Sequence, residues 1–386
     1  MQVTAPLRID AGALSAAAAA TFAAAGCAAG EARQVAHALV EANLFGHDSH
    51  GIGLLPRYVD NLRRGIARAG QAVRIVADHG ALIGMDGGCG FGQVLGEQAM
   101  ALAIGRARAH GVCVAGLANA HHLARIGRWA ELCAAEGFAS VHFVNVLSRP
   151  LVAPWGGTDA RLATDPFCVG VPHEPHPLVL DFATSMAAVG KADVALAAGK
   201  RMAEGLLIDA AGQPTTDPAV MFAEPQGALL PFGQHKGFAL AVMCELLGGA
   251  LSGGQVQHCN PPHNPMRNNM LSIVFAPDKL ATRQALQRQI AELAAWLRGS
   301  PLAPGASGIH LPGEPERIAA AERGRDGIAL PRRTLEALRR CAQALGVGAF
   351  DAFDTFDTFD AFDAGRAAGD AREGDAGDEP GGGRPG

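Results

Sequence analysis

Two histidine-containing segments are the parts of the sequence best suited to proton chemistry. GHDSHG contains His47, Ser49 and His50, and NAHHLAR contains His121 and His122 directly after an apolar run that predicts a buried strand. Enzymes of the α/β class place their chemistry at the carboxyl ends of strands, and an imidazole exchanges protons near neutral pH. His122 is therefore a candidate acid/base, although residue spacing alone favours a buried structural histidine equally well.

Three other kinds of site were weighed against this one. A zinc site needs further Cys or His ligands at defined spacing, which no second cluster clearly supplies, so no metal is expected. A serine hydrolase needs a G-x-S-x-G elbow, and Ser49 lies in no such motif. The glycines of residues 88–96 do not follow G-x-G-x-x-G, and no acidic residue follows at the expected distance, so a Rossmann domain is not predicted.

The elements that must position these histidines alternate between strands and helices. Apolar and β-branched runs predict strands, and segments with helical periodicity ending at glycine predict helices. The predicted strands are residues 81–87, 112–119, 138–146, 177–183 and 270–277, and the clearest helices are residues 94–111 and 129–137. This alternation indicates an α/β fold.

The chain divides into three regions by composition. Residues 1–75 are predicted to be helical and to form one domain together with residues from about 300 to 349. Residues 76–299 are predicted to form the α/β core that binds cofactor and substrate. The apolar run 237–254 predicts a buried helix and not a membrane span, because Glu245 lies in its middle.

Residues 350–386 differ in character from the rest of the chain. From Phe350 to Phe362, Phe recurs at every third position and is followed each time by Asp. Residues 350–386 carry a net charge of −7, whereas the whole chain carries −5. The body, at +2, gives no sign of nucleic-acid binding. We predict a disordered, low-complexity acidic tail, with a partner-binding motif as the alternative.

The cysteines and the amino-terminal segment indicate in which cellular compartment the protein is expected. The eight cysteines are scattered without any CxxC pair, which favours free thiols in a reducing cytoplasm. The alanine-rich segment near residue 20 lacks a preceding basic cluster and continues into a helical pattern, so export is the less favoured reading. We expect a cytoplasmic protein without membrane contact.

A series of blocks, in order, resembles the type-2 malate/lactate dehydrogenase family over roughly residues 8–345. The blocks are GHDSHGIGLLPRYV, GFGQVLGEQAMALAI, NAHHLARIGRWAE, PLVAPWGG, TDPFCVGVP, PLVLDFATS, TTDPAVM, GALLPFGQHKGFALAVMCELLGGALSGG and LPGEPE. Because so many ordered blocks are more specific than any single motif, the resemblance outweighs the structural reading of the histidines.

The resemblance implies a fold, a reaction and an assembly. The fold would be a non-Rossmann α/β fold, with a mixed sheet core and a helical domain built from both chain ends, and the protein would form a homodimer. The reaction would interconvert 2-oxo acids and 2-hydroxy acids by hydride transfer with NAD or NADP. A cyclic-imine reductase of the piperideine-2-carboxylate type on the same scaffold is the alternative, and a catalytically idle small-molecule-binding protein is the alternative from another class.

The resemblance also carries roles onto individual residues. The acid/base would be His122, and Ser49 and His50 would face substrate and nicotinamide. Substrate contacts would come from Arg125 and Thr164. The cofactor contacts would be His50, Arg125, Ile126, Asp181, Phe182, Ala183, Lys236, Gly313 and Glu314.

The sequence departs from the family pattern near the expected substrate. Leu54 stands where many members have an arginine, Asp165 replaces the asparagine of Thr-Asn-Pro, and Ala120 replaces a common serine. These changes make malate and lactate themselves doubtful substrates, and an added carboxylate would raise the pKa of a histidine close to it. A guanidinium suits a substrate carboxylate, and the candidates are Arg125, Arg57 and Arg149.

Overall fold

The computed structural model describes residues 7–259 and 266–354. Residues 355–386, which make up most of the predicted acidic tail, lie outside the described residues. No helix of the described part is long and apolar enough to cross a membrane.

A seven-stranded mixed sheet forms the centre of the structure. Its order is β2-β3-β4-β11-β5-β6-β7, and every neighbouring pair is antiparallel except β3 and β4. The strands are β2 (Arg74–His79), β3 (Leu82–Asp86), β4 (Val112–Ala120), β5 (Ala139–Leu147), β6 (Phe167–Val171), β7 (Leu178–Phe182) and β11 (Arg267–Phe275). The α/β class and the mixed sheet predicted from the sequence are confirmed.

Two helices cover this sheet and share its core. Helix α4 (Gly92–His110) ends at Gly111, whose left-handed φ of 85° suits a residue without a Cβ. It packs with helix α5 (Gly127–Ala135) on the sheet, where Trp129, Leu95 and Met270 are fully buried. The apolar run predicted as one helix is α7 (His235–Met243) followed by π-helical turns over Cys244–Ala250, which pack against β5 and β11.

Both ends of the chain contribute to a second, helical core. Strand β1 (Leu7–Ile9) pairs antiparallel with β12 (Ile328–Leu330), which ties the termini together. The helices here are α1 (Ala11–Ala24), α2 (Ala29–Leu44), α3 (Leu55–Arg63), α9 (Glu314–Asp326) and α10 (Arg332–Gln343). Asp10 caps α1 by accepting a hydrogen bond from the backbone N–H of Ala13.

The described chain ends in a short 3-10 helix that belongs to this helical core. Over Asp351–Asp354 the chain turns back, so that Phe350 and Phe353 are buried among the residues of the amino- and carboxyl-terminal helices. The sequence placed the start of the tail at about residue 350, because the Phe-Asp repeat fits no regular period. The structure moves that start beyond residue 353, since the first two phenylalanines are core residues.

A smaller layer lies beside the sheet. Its three short strands are β8 (Leu207–Ile208), β9 (Pro214–Thr215) and β10 (Ala228–Leu229), in the order β10-β8-β9. They pack with helix α6 (Val189–Ala197) around Val152 and Met221. The remaining helix, α8 (Arg283–Arg298), begins at Thr282, whose hydroxyl accepts a hydrogen bond from the backbone of Ala285.

Two buried carboxyl groups, those of Asp165 and Glu245, lie close to each other. Asp165 is fully buried, and its Oδ1 accepts the backbone N–H of Val146 at 2.9 Å, whereas its Oδ2 has no hydrogen-bond partner among the described residues. Glu245 also accepts from Asn145 at 2.8 Å and from the backbone of Gln257 at 2.7 Å. Desolvation, and then the charge of Glu245, raise the pKa of Asp165 well above its usual value. The carboxylate added at this position therefore faces another carboxyl group rather than the site histidines.

Replacing Asp165 by Asn should stabilise the protein increasingly as the pH rises. The folded chain keeps a proton on Asp165 that the unfolded chain loses near pH 4, so wild-type stability falls as the pH rises from there toward the raised pKa. An amide has the same shape, keeps an oxygen that can accept the N–H of Val146, and does not titrate. The gain in free energy of unfolding should reach about 1–3 kcal/mol at pH 8, measured by denaturant unfolding at pH 5, 6.5 and 8. Exposed Asp159→Asn is the matched control, and a D165N gain independent of pH would contradict the explanation.

Candidate functional site

The segment that carries His122 leaves the end of β4 in a strained backbone conformation. Asn119 and Ala124 have φ of 56° and 59°, a region that side chains with a Cβ seldom occupy. Two asparagines of the neighbouring strand β11 hold the segment there: Asn269 accepts the N–H of Asn119 and Asn268 that of Leu123, each at 2.8 Å. Side-chain hydrogen bonds thus replace the backbone hydrogen bonds between β4 and β11 where the chain leaves the sheet toward the site.

The glycine-rich segment before α4 supports the same turn. A Cβ on Gly92 would lie 2.3 Å from the carbonyl oxygen of His122, and the N–H of His121 donates to the carbonyl of Gly90 at 2.8 Å. The glycines therefore allow α4 to begin directly against the histidine segment. This explains why the segment is glycine-rich without the dinucleotide spacing.

His122 is held by partners from the helical part of the protein. Its Nδ1 lies 2.6 Å from the hydroxyl of Tyr58 on α3, and that hydroxyl accepts a hydrogen bond from Gln93 at 2.9 Å. The His122 ring stacks on His50, with centroids 5.3 Å apart and planes 16° from parallel. Nδ1 is thereby engaged and Nε2 is left available for chemistry.

The stacked imidazoles are kept neutral. Desolvation, the charge of His47 and that of Arg125 lower the pKa of His50 to about 4. Desolvation, followed by the charges of His50, His121 and Arg57, lowers the pKa of His122 well below its usual value. The sequence suggested a histidine titrating near neutrality, whereas the structure holds both rings in the basic, proton-accepting form at pH 7.

His121 has a structural role beside its neighbour. It is fully buried, its Nε2 accepts a hydrogen bond from Asn61 at 2.9 Å, and Tyr58 and Phe91 meet it edge-on. Desolvation lowers its pKa to about 3. Of the two adjacent histidines, only His122 is partly exposed at the site.

The turn that carries Ser49 and His50 is anchored through its neighbours. Asn43 donates to Asp48 at 2.6 Å and accepts the N–H of Ile52 at 2.7 Å, and Arg323 of α9 pairs with Asp48. The hydroxyl of Ser49 lies 3.0 Å from Nδ1 of His50. The predicted Ser-His pair is therefore formed, and it lies next to His122.

Arg125 is buried and paired with a carboxylate of the protein. Its guanidinium is 3% exposed, makes two hydrogen bonds to Glu131 at 2.9 and 2.5 Å, and lies 4.0 Å from Glu41. Its other side faces the ring of Phe45 at 4.2 Å. The charge of Arg125 is therefore compensated within the protein, and its contact with a substrate stays a prediction. Its predicted cofactor role, next to Ile126, is untested.

The predicted substrate residue Thr164 takes part in the protein's own bonding. Its carbonyl accepts from both the N–H and the hydroxyl of Thr184, at 2.9 and 3.0 Å. This joins the loop before β6 to the end of β7, and the structure shows no contact between Thr164 and the imidazoles. A substrate contact through its side chain stays a prediction.

Three of the predicted cofactor residues follow one another at the end of β7. The carboxylate of Asp181 accepts the N–H of Gly127 at 2.7 Å, at the start of α5, and desolvation raises its pKa. Phe182 packs edge-on against Phe232, with centroids 5.1 Å apart, and Ala183 follows, half-buried. Asp181 therefore lies close to the start of α5 and to Arg125, since a Cβ on Gly127 would lie 2.7 Å from Nη1 of Arg125 and 3.0 Å from Oδ2 of Asp181.

The other predicted cofactor residues lie on two further elements. Gly313, at φ 87°, precedes α9, and a Cβ there would lie 2.9 Å from Nη1 of Arg317 and 3.3 Å from the backbone nitrogen of Val179. Glu314 follows it and is paired with Arg298. Lys236 is exposed on the first turn of α7. Gly313 therefore lets its loop pack closely against Arg317 and β7. The exposed ammonium of Lys236 is chemically suited to an anionic dinucleotide.

Sequence reasoning missed Tyr58 and Gln93, which hold the catalytic candidate. Tyr58 is the only tyrosine of the chain and lies at the end of the block GHDSHGIGLLPRYV. Its position inside that block was a signal, but its partner is 64 residues away, so no local pattern pointed to it. Gln93 lies in the glycine-rich segment, where only the glycines drew attention.

The chain matches the family model "Malate/L-lactate dehydrogenase" over residues 9–339. It is 44% identical to hydroxycarboxylate dehydrogenase B of Escherichia coli O157:H7, over 82% of this chain and 88% of that protein. It is 42% identical to an L-lactate dehydrogenase of Cupriavidus necator, over 82% and 91%. A solved structure described as a putative malate/lactate dehydrogenase from E. coli superposes with a TM-score of 0.86 at 43% identity, covering 90% of this chain and 98% of that one. The family expected from the ordered blocks is confirmed, and this chain belongs to the malate/L-lactate dehydrogenase family.

Proposed function

We propose that this protein is an NAD(P)-dependent oxidoreductase that interconverts 2-oxo acids and 2-hydroxy acids, with His122 as the acid/base. The observation that carries the proposal is the neutral, partly exposed His122 ring, stacked on His50 and fixed at Nδ1 by Tyr58. The family membership supports the reaction class, since relatives of this chain are named for hydroxycarboxylate and lactate oxidation.

His122 moves the proton that accompanies hydride transfer. In the oxidation of a 2-hydroxy acid, the neutral imidazole takes the hydroxyl proton at Nε2, and in the reverse direction the imidazolium returns it to the carbonyl oxygen. A substrate carboxylate close to the ring raises the pKa of His122, which favours the protonated form needed for reduction. When bound, NAD(P) supplies or accepts the hydride.

Tyr58 keeps a hydrogen bond to His122 in both protonation states. After accepting from Gln93, its hydroxyl still has one lone pair and its own proton. It can therefore accept from a protonated Nδ1 or donate to an unprotonated one. The hydroxyl of Ser49, 3.0 Å from Nδ1 of His50, orients that ring, and His50 would contact the nicotinamide, as the family resemblance implies.

The cofactor would be held by Asp181, Phe182 and Ala183, by Lys236 and around Gly313 and Glu314, as the family resemblance implies. The exposed ammonium of Lys236 supports this assignment. The choice between NAD and NADP stays open. Assembly as a homodimer and location in the cytoplasm are part of the same proposal.

A substrate panel tests the reaction class. NADH and NADPH oxidation should be followed with pyruvate, oxaloacetate, 2-oxoglutarate, phenylpyruvate and piperideine-2-carboxylate. We expect turnover with at least one 2-oxo acid. Turnover with the cyclic imine alone would replace the proposal by an imine reductase, and no turnover at all would favour a binding protein.

His122→Ala should abolish most turnover while leaving cofactor affinity nearly unchanged. Loss of a positioned acid/base lowers kcat by about 10²- to 10⁴-fold. The measurement is steady-state kinetics together with fluorescence titration of NADH or NADPH. His79→Ala, an exposed histidine on β2, serves as the control. Wild-type turnover in H122A would remove His122 from the mechanism.

The rate of 2-hydroxy acid oxidation should stay constant as the pH is lowered from 8 to 6. The base must be unprotonated, and the pKa of His122 in the free protein lies well below 6.5. Consequently kcat/KM for 2-hydroxy acid oxidation should not fall between pH 8 and pH 6, and its acid limb should appear only at lower pH. A limb centred at 6.5 or above would show that the ring titrates as an ordinary histidine.

Tyr58→Phe should lower kcat by roughly 10- to 100-fold and change KM for the 2-oxo acid much less. The variant keeps the ring contacts with Phe22 and Phe91 but removes the partner of Nδ1 and the acceptor of Gln93. Thermal unfolding should show a loss of about 1 kcal/mol. If Y58F matched wild-type kcat, orientation of His122 by the hydroxyl would be excluded.

A further inference from the structure

Helix α10 carries a row of exposed arginines along one side. Arg332, Arg333 and Arg340 are exposed, whereas Leu335 and Leu338 of the same helix are buried in the helical core. Residues seven apart on a helix lie on the same side, so Arg333 and Arg340 stand at the two ends of this row.

Arg63 of the neighbouring helix α3 extends the row. Helices α3 and α10 pack against each other, and the exposed Arg63 donates through Nη2 to the carbonyl of Ala344, directly after α10, at 3.5 Å. Arg63, Arg332, Arg333 and Arg340 together are called the basic face below.

Most of the charge on the basic face is not compensated. Arg333 pairs with Asp193 of α6 at 2.6 Å. No carboxylate of the described part of the chain pairs with Arg63, Arg332 or Arg340, and Glu336 is the one acidic residue in the sequence of α10. The face therefore presents a net positive charge that suits an acidic segment.

The end of the described chain lies against the same turns of α10. Nε of Arg339 donates to the carbonyl of Phe350, and the side-chain amide of Gln343 donates to Oδ1 of Asp351, each at 3.1 Å. Phe350 and Phe353 are buried in the helical core. The chain that follows Asp354 therefore starts at the carboxyl-terminal end of the basic face.

The sequence that follows repeats the chemistry of the residues already packed there. Phenylalanine recurs with the same spacing and is followed each time by aspartate, at Phe356-Asp357, Phe359-Asp360 and Phe362-Asp363. A backbone with three residues per turn, such as a 3-10 or polyproline II helix, places these phenylalanines on one side and the aspartates on another. Residues 355–386 contain eight acidic residues and three arginines, so their net charge is opposite to that of the basic face.

The length of the repeat matches the length of the face. Nine residues, 355–363, span about 28 Å in a polyproline II conformation, whereas the twelve residues of α10 span about 18 Å. Cys341 and Leu345 at the carboxyl-terminal end of the face, and Leu62 beside Arg63, are half-buried apolar side chains that phenyl rings could cover.

We propose that the basic face binds residues 355–363 of the same chain, with the aspartates against the arginines and the phenylalanines against the half-buried apolar side chains. Because the segment is tethered at Asp354, its effective concentration at the face is on the order of millimolar, which favours this occupant over another molecule. The bound segment adds a contact between α10 and α3, the helix that carries Tyr58. The proposal does not depend on the reaction at His122.

Chymotrypsin, which cleaves after phenylalanine, tests the proposal on the full-length chain. Cleavage after Phe356, Phe359 and Phe362, followed by mass spectrometry, should be roughly tenfold slower than in a synthetic peptide of the same sequence, since a bound segment must detach before it is cut. The protection should weaken when NaCl is raised to about 0.5 M, because salt screens exposed charges.

Two sets of variants locate the contact. Arg63→Gln combined with Arg340→Gln should raise the cleavage rate by roughly 3- to 10-fold, and Arg288→Gln, an exposed arginine of α8, is the matched control. The triple variant D357N/D360N/D363N should lose the same protection relative to a peptide of its own sequence. It changes no described residue, so this result does not depend on the folding of an altered helix.

Three results would overturn the proposal. Cleavage of the wild type as fast as the free peptide would show that the segment is not bound. Protection unchanged in both sets of variants would show that it is held elsewhere or without its charges. Protection that is lost on dilution of the protein would assign the face to a second copy of the chain instead of the segment tethered to it.

Discussion

The hydrogen bond between Tyr58 and His122 is the contact on which the site depends. It joins α3, from the helical part built by both chain ends, to the segment that leaves β4 of the central sheet. Neither part alone contains a complete acid/base. The sheet supplies the imidazole at a strand end, and the helical part supplies the hydroxyl that orients the ring and the second ring that stacks on it. The pairing of β1 with β12 and the burial of Phe350 and Phe353 stabilise that helical part.

The charges around this contact fall into two groups. Arg125 and Arg128 are compensated by Glu131, Glu41 and Glu97, so they hold α2, α4 and α5 together. Arg57 and Arg149 are exposed, and no described carboxylate pairs with them. Since a buried charge is costly unless paired whereas an exposed one is not, the first group serves the fold. His122 is kept neutral mainly by desolvation and, after it, by the charges of His50, His121 and Arg57.

Much of the fold and part of the site could be predicted from the sequence. Strands β3, β4, β5, β7 and β11 were found within a few residues, because each is a continuous apolar run. Strand β6 (Phe167–Val171) was missed, since glycine and cysteine interrupt its five residues, and β2 was missed because all of it is exposed.

The positions of His122, His50 and Ser49 followed from ordered blocks. The partners of these residues did not, because Tyr58, Gln93 and Glu131 are selected by three-dimensional packing. Arg125 shows the same limit: its place in a site block suggested a ligand contact, and only the structure shows that Glu131 already occupies its guanidinium.

The geometry of α3 gives neighbouring residues different surroundings. Successive residues of a helix point in directions about 100° apart, so Tyr58 can be buried against His122 while Arg57 beside it stays exposed. On the sheet side, Asn268 and Asn269 fix the strained turn from Asn119 to Ala124, and Gly92 allows α4 to begin against it. The candidate acid/base is thus constrained from both sides, by the hydroxyl on α3 and by the turn that the two asparagines hold.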